Sequence, residues 1–438
     1  MQTAFPNDTH AHAATSAPSR SRALRLPRVT AADAAVGSIA LVALHLADDA
    51  FVHPEPGTSA FDHPAALLPI AVLGLAAAGY RRARAGLRAT IALVVGVLAL
   101  VVGAASAGFQ TITVGPSGDD FTGLLALPAG LTLIGLGLVT LWTSRRLDDR
   151  KTWRYTRRGL IAVAALAVAN FVLFPLGFSY VITHVMRQTV PAPTLGVAYE
   201  NVSFTTSDGL ELQGWYVPSK NGAAVIAVPG RSGPAVQARL LARHGYGVLL
   251  FDRRGEGRSE GDSNLLGWGG HKDILAAVEY LQSRSDVDPN RIGGIGLSVG
   301  GELMLQAAAE SDELAAVVSE GAGSRMFSEV MEENEGYEKW LIAPQAAIMM
   351  AGTAVFSSTA QPPALTELAP KIQQPLFVIW APNGGNVEHM SKRYYELAQG
   401  PKEIWEMPTA KHVGGIYDRP AKYERRVTGF FDEALLGR

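Results

Sequence analysis

A serine between two glycines is the feature of this chain that most directly predicts chemistry. It lies in RIGGIGLSVGG, residues 291–301, where Gly296, Ser298 and Gly300 form G-x-S-x-G between a strand-like and a helix-like run. A sharp strand-to-helix turn has no room for side chains at the two flanking positions and holds the serine hydroxyl exposed. The first N–H groups of the helix, beginning with that of Val299, would face an oxyanion formed beside the serine. We therefore predict that Ser298 is a nucleophile, the alternative being an ordinary glycine-rich turn.

The base that such a serine needs is predicted to be His412. A serine hydroxyl is a weak nucleophile at neutral pH, and histidine is the side chain that most often takes its proton. His412 lies in AKHVGG, residues 410–415, in a loop directly after the last predicted strand. The other late histidines lie near helix ends or in a helix–strand link, and they are His184, His244, His271 and His389. The alternative for His412 is an ordinary surface histidine.

Two glycine-containing loops follow earlier predicted strands. The loop AVPGRSG, residues 227–233, occupies the place that supplies a second oxyanion donor in hydrolases with a nucleophile turn. The backbone N–H of Arg231 is the predicted donor, paired with that of Val299. The loop DRRGEGRS, residues 252–259, combines aspartate and arginine with glycine, and we interpret it as the brace of a turn.

Strand-like and helix-like segments alternate over residues 192–438. This alternation predicts an α/β domain with a doubly wound, mostly parallel sheet and helices on both faces. An insertion at residues 322–370 is rich in methionine and aromatic residues. It is predicted to form a helical cap, either lining an adaptable apolar substrate pocket or simply packing on the sheet. The predicted strands are 202–206, 210–217, 223–228, 247–251, 291–297, 314–319, 375–380 and 403–407.

The segments VPGRSG, DRRGEGRSEGD and GLSVGG, together with the late His412, resemble the α/β-hydrolase superfamily. They look closest to its branch of serine-aminopeptidase-like and dienelactone-hydrolase-like esterases. The resemblance covers Val197 to the C-terminus and none of the apolar first half. It implies the chain order nucleophile, acid, histidine, with Ser298 as the nucleophile and His412 as the base. We expect neither a cofactor nor a metal.

The acid is where this sequence departs from the family. The family usually places an aspartate a few residues past the penultimate strand, and that place falls near Gly384, which has no side chain. Glu388 is the nearest carboxylate in the loop, and a turn at Gly384-Gly385 could fold it back. Glu320 is the other candidate, because it ends the preceding strand and some members of the fold take their acid there. Each also has a structural interpretation, as a helix-start glutamate for Glu388 and as a buried brace for Glu320.

The first half of the chain is much more apolar than the second. Charged residues make up 18% of the chain, against roughly 25% in a soluble protein, and the deficit falls before Met186. A bilayer core requires about 20 apolar residues per helix, so residues 28–185 are predicted to form an all-α transmembrane bundle. A cleaved signal peptide is the alternative interpretation of the first apolar stretch, residues 30–47. A polar tail at residues 1–27, predicted to be disordered, precedes apolar stretches at 30–47, 64–80, 88–109, 121–143 and 159–182.

Positive charge is confined to alternate loops of this half. The tail, the loop after the second stretch and the loop after the fourth carry arginines, whereas the two other loops have no lysine or arginine. Positively charged loops stay in the cytoplasm. The pattern therefore predicts a multi-pass protein of the cell membrane, with a cytoplasmic N-terminus and an extracytoplasmic hydrolase domain.

Bulk composition excludes some classes of function. There is no cysteine, so disulfides and thiolate metal sites are excluded, and a net charge of −2 gives no indication of nucleic-acid binding. The prediction is a membrane-anchored serine hydrolase that cleaves an ester, thioester or related acyl bond. Its expected partners are the lipid bilayer and a small-molecule or lipid-like acyl substrate. The alternatives are a peptidase and a non-catalytic hydrolase-like domain used for binding or scaffolding at the membrane.

Overall fold

The computed structural model describes residues 29–103, 120–144, 151–185, 187, 191–229, 235–334, 336–385 and 388–438. The predicted tail at residues 1–27 and the predicted oxyanion donor Arg231 lie outside the described residues.

Apolar helices make up the first part of the described chain. They are α1 (Ala31–Ala47), α2 (Leu67–Tyr80), α3 (Ala85–Val102), α4 (Asp120–Thr143), α5 (Lys151–Val168) and α6 (Phe174–Thr183). A wider π turn, Asp48–Val52, extends α1, and a second one, Ala169–Leu173, joins α5 to α6.

Helices α3 and α4 pack closely through small residues. A side-chain carbon built on Gly96 would lie 2.9 Å from the carbonyl oxygen of Gly130, and one built on Gly130 would lie 2.8 Å from that of Gly96. Only glycine at both positions allows the backbones to approach this closely, as is common where membrane helices pack. Alanines of α1, such as Ala35, extend the same buried cluster.

Five helices of the described residues are long and apolar enough to cross a membrane, judged by length and composition. Four of them overlap the predicted apolar stretches. The predicted stretch at 64–80 forms a helical segment, Pro64–Tyr80, that is shorter than these five, and the fifth long helix lies in the segment predicted to be the cap. The five are Ala31–Val52, Ala85–Val102, Thr122–Thr143, Tyr155–Thr183 and Glu338–Phe356.

A single eight-stranded sheet follows, in the order β1-β2-β4-β3-β5-β6-β7-β8. Its strands are β1 (Glu200–Thr205), β2 (Glu211–Val217), β3 (Ala224–Val228), β4 (Gly247–Phe251), β5 (Ile292–Leu297), β6 (Ala316–Glu320), β7 (Leu376–Trp380) and β8 (Lys402–Glu406). Strand β2 pairs antiparallel with β1 and β4, and strands β3 to β8 are parallel to one another. Strands β3 to β6 are buried along their whole length, as expected of parallel strands covered on both faces.

Helices cover both faces of the sheet. The helices of this part of the chain are α7 (Ala235–Arg243), α8 (Gly270–Gln282), α9 (Val299–Glu310), α10 (Phe327–Glu333), α11 (Glu338–Phe356), α12 (Leu365–Leu368), α13 (His389–Leu397), α14 (Gly415–Asp418) and α15 (Pro420–Phe431). One buried cluster packs α8, α9 and α13 on the first face, and a second cluster packs α7 and α15 on the opposite face. The predicted fold class, a doubly wound and mostly parallel α/β sheet, is confirmed.

The apolar helices and the α/β domain contact each other near the C-terminal end of α6. The guanidinium of Arg187 lies 3.0 Å from the carboxylate of Glu55, which belongs to the loop between α1 and α2. The backbone N–H of Leu265 donates to the carbonyl oxygen of Ile182 over 2.8 Å. An ion pair and a hydrogen bond therefore connect the α/β domain with the apolar helices, in addition to the covalent link through the chain.

Candidate active site

The carboxyl ends of β5, β6, β7 and β8 meet at one edge of the sheet, because these strands run parallel. Open parallel sheets bind ligands at this edge. Four predicted site residues lie there: Ser298 follows β5, Glu320 ends β6, Glu388 lies in the loop after β7, and His412 lies in the loop after β8.

The turn around Ser298 is strained. Ser298 has φ 53° and ψ −122°, a conformation that is costly for a residue with a side chain. Its backbone N–H donates to the carbonyl oxygen of Glu320 over 2.8 Å, which ties the turn to β6. A side-chain carbon on Gly296 would lie 2.1 Å from the carbonyl oxygen of Gly300, and one on Gly300 would lie 2.6 Å from that of Val228. Both positions therefore require glycine, for the steric reason inferred from the motif.

His412 lies between Ser298 and Glu388. Its Nε2 is 2.9 Å from the Oγ of Ser298, and its Nδ1 is 2.8 Å from the Oε1 of Glu388. A carboxylate can only accept, so Nδ1 carries the proton and Nε2 is left to accept from the serine hydroxyl. The His412 side chain is 32% exposed and that of Glu388 only 1%. The imidazole is thus reachable by a substrate, whereas its carboxylate partner is not.

Backbone donors hold the Glu388 carboxylate in place. Its Oε1 also accepts from the N–H of Val413 over 3.1 Å, and its Oε2 accepts from the N–H of Ala381. Val413 has φ 46°, an unusual conformation for a branched side chain, directly after His412. Glu388 therefore fixes both the histidine ring and the backbone that carries it.

The loop after β7 returns Glu388 to the histidine. The N–H of Gly384 donates to the carbonyl oxygen of Ala381 over 2.8 Å, and Gly385 adopts φ 112°. A side-chain carbon on Gly384 would lie 3.0 Å from the backbone nitrogen of His412, so a larger residue would crowd the histidine loop at the family's usual acid position. The carboxylate comes instead from Glu388, the residue directly before α13.

Glu320, the other candidate acid, bonds to residues of the two helices that follow His412. Its Oε1 accepts from the N–H of Gly415 over 2.9 Å, and its Oε2 accepts from the hydroxyl of Tyr423 over 2.6 Å. Burial raises the pKa of Glu320 to about 7, against the lowering effect of these two hydrogen bonds. Glu320 therefore braces α14 and α15 behind the histidine loop, the structural alternative considered for it.

The predicted oxyanion donor Val299 is the first residue of α9. The first N–H groups of a helix have no acceptor within the helix, and that of Val299 is adjacent to the Ser298 side chain in the chain. The predicted second donor, Arg231, lies outside the described residues.

A buried polar network beneath the cap was not anticipated from the sequence. Glu302, one turn into α9, accepts from the N–H of Gly323 over 3.1 Å. The guanidinium of Arg325 binds the side-chain oxygen of Gln306, and the carboxylate of Glu329 accepts from the N–H of Arg325 over 3.0 Å. Burial raises the pKa of Glu302 to about 7, although the nearby Arg325 opposes the shift. The network joins the nucleophile's helix to the cap, and a glutamate directly after the glycines of GLSVGG was the available signal.

The loop at residues 252–259 makes bracing contacts. The Nε of Arg254 donates to Asp273 over 2.8 Å, and its Nη1 donates to Asp208 over 3.0 Å. The N–H of Arg258 donates to the carboxylate of Asp252 over 3.1 Å. These contacts agree with the interpretation of this loop as a structural brace.

A doubly wound parallel sheet with a G-x-S-x-G turn and a late histidine defines an α/β hydrolase. The family model described as X-Pro dipeptidyl-peptidase (S15 family) matches residues 177–404, about half of the chain. The chain belongs to this family. The matched range includes Ser298 and Glu388 and ends before His412.

Similar proteins occur in bacteria, archaea and fungi. The uncharacterized protein YfhR of Escherichia coli O157:H7 is 27% identical over 254 residues, which are 54% of this chain and 81% of that protein. The polyketide transferase grgF of a Penicillium species is 34% identical over 127 residues, 27% of this chain and 43% of that protein. The solved Pyrococcus furiosus esterase PF2001 is 24% identical with a TM-score of 0.47, and the match covers 57% of this chain and 97% of the esterase.

Proposed function

We propose that this protein is a membrane-anchored serine hydrolase that cleaves an ester, thioester or related acyl bond through an acyl-enzyme. The observation that carries the proposal is the chain of contacts from the Ser298 hydroxyl through His412 to the buried Glu388 carboxylate, at 2.9 Å and 2.8 Å. Nucleophile, base and orienting acid within hydrogen-bond distance are the signature of an activated serine.

In the proposed mechanism, His412 Nε2 takes the proton of the Ser298 hydroxyl as the oxygen attacks the acyl carbonyl. The imidazolium that forms is stabilised by Glu388 on Nδ1. The tetrahedral oxyanion accepts hydrogen bonds from the N–H of Val299 and from that of Arg231. The intermediate collapses as His412 protonates the leaving group. Water, activated by the same imidazole, then hydrolyses the acyl-enzyme.

The proposed location is the cell membrane, with the hydrolase domain outside the cytoplasm. It is supported by the helices long and apolar enough to cross a bilayer, and by arginines confined to alternate loops between the apolar stretches.

Labelling with a fluorophosphonate probe tests the catalytic proposal. The wild-type protein in native membranes should become labelled on Ser298, and Ser298→Ala should remain unlabelled. An unlabelled wild-type protein would instead support a non-catalytic hydrolase-like domain at the membrane.

A peptidase is the second candidate, and the observation that favours it is the match to the X-Pro dipeptidyl-peptidase family. The same serine could attack an amide. Comparing kcat/KM for Ala-Pro-p-nitroanilide and for p-nitrophenyl butyrate separates the two. Faster turnover of the anilide would favour the peptidase over the esterase.

A further inference from the structure

The cap helix α11 packs parallel to the end of the last apolar segment, with contacts that advance together along both helices. Gln345, in its first half, donates to the carbonyl oxygen of Asn170 over 3.2 Å. A side-chain carbon on Gly352 would lie 2.2 Å from the Oγ of Ser179, and the Phe356 ring lies 5.3 Å from that of Tyr180. Helix α11 thus packs on a segment, Tyr155–Thr183, that is itself long and apolar enough to span a membrane.

The outward face of α11 is apolar. Its exposed residues recur at helical spacing and form a stripe, hereafter the α11 stripe, consisting of Trp340, Leu341, Pro344, Ala347, Ala351 and Ala354. No charged residue occurs in α11 after Lys339. A helix that faces water carries polar residues on its exposed side, so the composition of the stripe indicates an apolar surrounding.

The residues at the start of α11 are those typical of a membrane boundary. Tyr337 is 74% exposed and Trp340 is 76% exposed, with the charged Glu338 and Lys339 between them. Tyrosine and tryptophan concentrate where a bilayer meets water, because each has an apolar ring and a polar tip. Together with the uncharged remainder of the helix, these exposed aromatic rings indicate contact with lipid.

A short path of contacts connects α11 to the nucleophile. Ser357 follows α11, and its Oγ accepts from the Nδ2 of Asn264 over 3.2 Å. The adjacent Leu265 is bonded to Ile182 at the end of α6. A side-chain carbon on Gly267 would lie 2.6 Å from the Cγ1 of Val299, the residue after Ser298. One loop therefore touches α11, the last apolar helix and the nucleophile turn.

We infer that the α11 stripe lies against the acyl chains of the leaflet on the hydrolase side, and that Ser298 acts on an acyl amphiphile resident in that leaflet. The substrate part of this inference rests on the proposed serine hydrolase activity, whereas the position of α11 does not. A cap that lies in the leaflet gives a long-chain ester a path to the nucleophile without passage through water, where its apolar chain would be costly to expose.

The position of α11 is tested by spin labels on single cysteines, because the chain contains no native cysteine. Labels at Ala347 and Ala351 of the full chain in phosphatidylcholine vesicles should be accessible to oxygen and protected from the water-soluble nickel reagent NiEDDA. Leu138, an exposed residue of α4, is the lipid-facing control, and Ala421, exposed on α15, is the water-facing control.

Accessibility to NiEDDA equal to that of Ala421 overturns the inference. Protection from both reagents also overturns it, since that result would put a second protein chain on the stripe.

The substrate class is tested with charges on the stripe. The variant Ala347→Asp/Ala351→Asp should lose about tenfold or more in turnover of 4-methylumbelliferyl oleate in phosphatidylcholine vesicles, because charge is costly among acyl chains. Turnover of soluble p-nitrophenyl butyrate should stay near wild type. The control variant Gln399→Asp/Ala421→Asp, on the exposed surface of the α/β domain, should change neither rate.

Equal loss on both esters, or a wild-type enzyme active only on the butyrate, would refute the substrate class. A wild-type enzyme inactive on both esters would refute the proposed function and leave the spin-label result standing.

Discussion

At the scale of single residues, the central feature is the sharing of one imidazole between a strained serine and a buried carboxylate. His412 approaches Ser298 and Glu388 at hydrogen-bond distance on its two nitrogens. Because Glu388 is buried and also bonded to two backbone N–H groups, its position does not depend on a substrate. Such a fixed arrangement lowers the reorganisation required during reaction.

Ser298 and His412 should act as one unit. Ser298→Ala and His412→Ala should each reduce kcat on p-nitrophenyl butyrate by on the order of 10³-fold or more, and the double variant should lose little beyond either single variant. Steady-state kinetics on the three variants check this. Losses that multiply in the double variant would mean that the two residues act separately.

The two glutamates should differ sharply in their effect on catalysis. Glu388→Gln should lower kcat by on the order of 10³–10⁴-fold, since the amide cannot stabilise the imidazolium and disturbs the histidine tautomer. Glu320→Gln should stay within about tenfold of wild type at neutral pH, because Glu320 reaches Gly415 and Tyr423 and not His412. Comparable losses in both variants, with the fold intact by circular dichroism, would contradict this assignment.

The sequence predicted Ser298 and His412 because each follows a recognisable strand within a distinctive local pattern. It left the acid open between two glutamates, since the outcome depends on how the loop after β7 folds. The backbone turn at Gly384 and Gly385 and the packing of Gly384 on the histidine loop are tertiary features. No pattern within the loop itself reveals them.

At the scale of elements, Glu320 links β6 to the helices that follow the histidine. Its carboxyl is bonded to Gly415 at the start of α14 and to Tyr423 in α15. The same residue accepts from the Ser298 N–H through its backbone oxygen. One strand end thus supports both the nucleophile turn and the base loop.

This link should make stability depend on pH. Burial raises the pKa of Glu320 to about 7, from the ordinary value of 4.5 for a glutamate, so the folded protein retains a proton that the unfolded chain releases. The resulting stabilisation is complete below the unfolded pKa and is lost as pH rises through about 7. One pKa unit corresponds to about 1.4 kcal/mol, so the loss amounts to roughly 2–4 kcal/mol.

Melting of the full chain in detergent between pH 5 and 8 checks this. The fall in Tm should be smaller in Glu320→Gln than in wild type. Glu406→Gln, which changes an exposed glutamate of β8, should keep the wild-type slope. Identical slopes in all three proteins would show that Glu320 titrates normally.

Element positions in the α/β part were largely predictable, with the eight predicted strands overlapping the eight in the sheet. Short apolar runs bounded by glycine, proline and polar residues identify buried strands because parallel strands contact apolar groups on both faces. The apolar helix α11 was assigned only to the cap. Its position beside α6 comes from long-range packing, which helical periodicity in α11 does not encode.

At the scale of the whole molecule, the proposed topology has a direct test. Lys220 and Ser144 are both exposed, and the proposal puts them on opposite sides of the membrane. A cysteine at Lys220 should react with a membrane-impermeant maleimide in intact cells, and a cysteine at Ser144 should react only after the membrane is opened. The reverse pattern would put the hydrolase domain in the cytoplasm.

The hydrogen bond between Leu265 and Ile182 has a consequence for the proposed anchoring of the protein in a membrane. A domain on a loose tether samples many heights and tilts above the lipid surface. Here the loop that packs on Val299 is bonded to the final turn of α6. Ser298 is therefore held at a fixed height and orientation relative to that helix. Energy transfer from a fluorophosphonate dye on Ser298 to acceptors in the lipid headgroups should therefore report one narrow distance distribution.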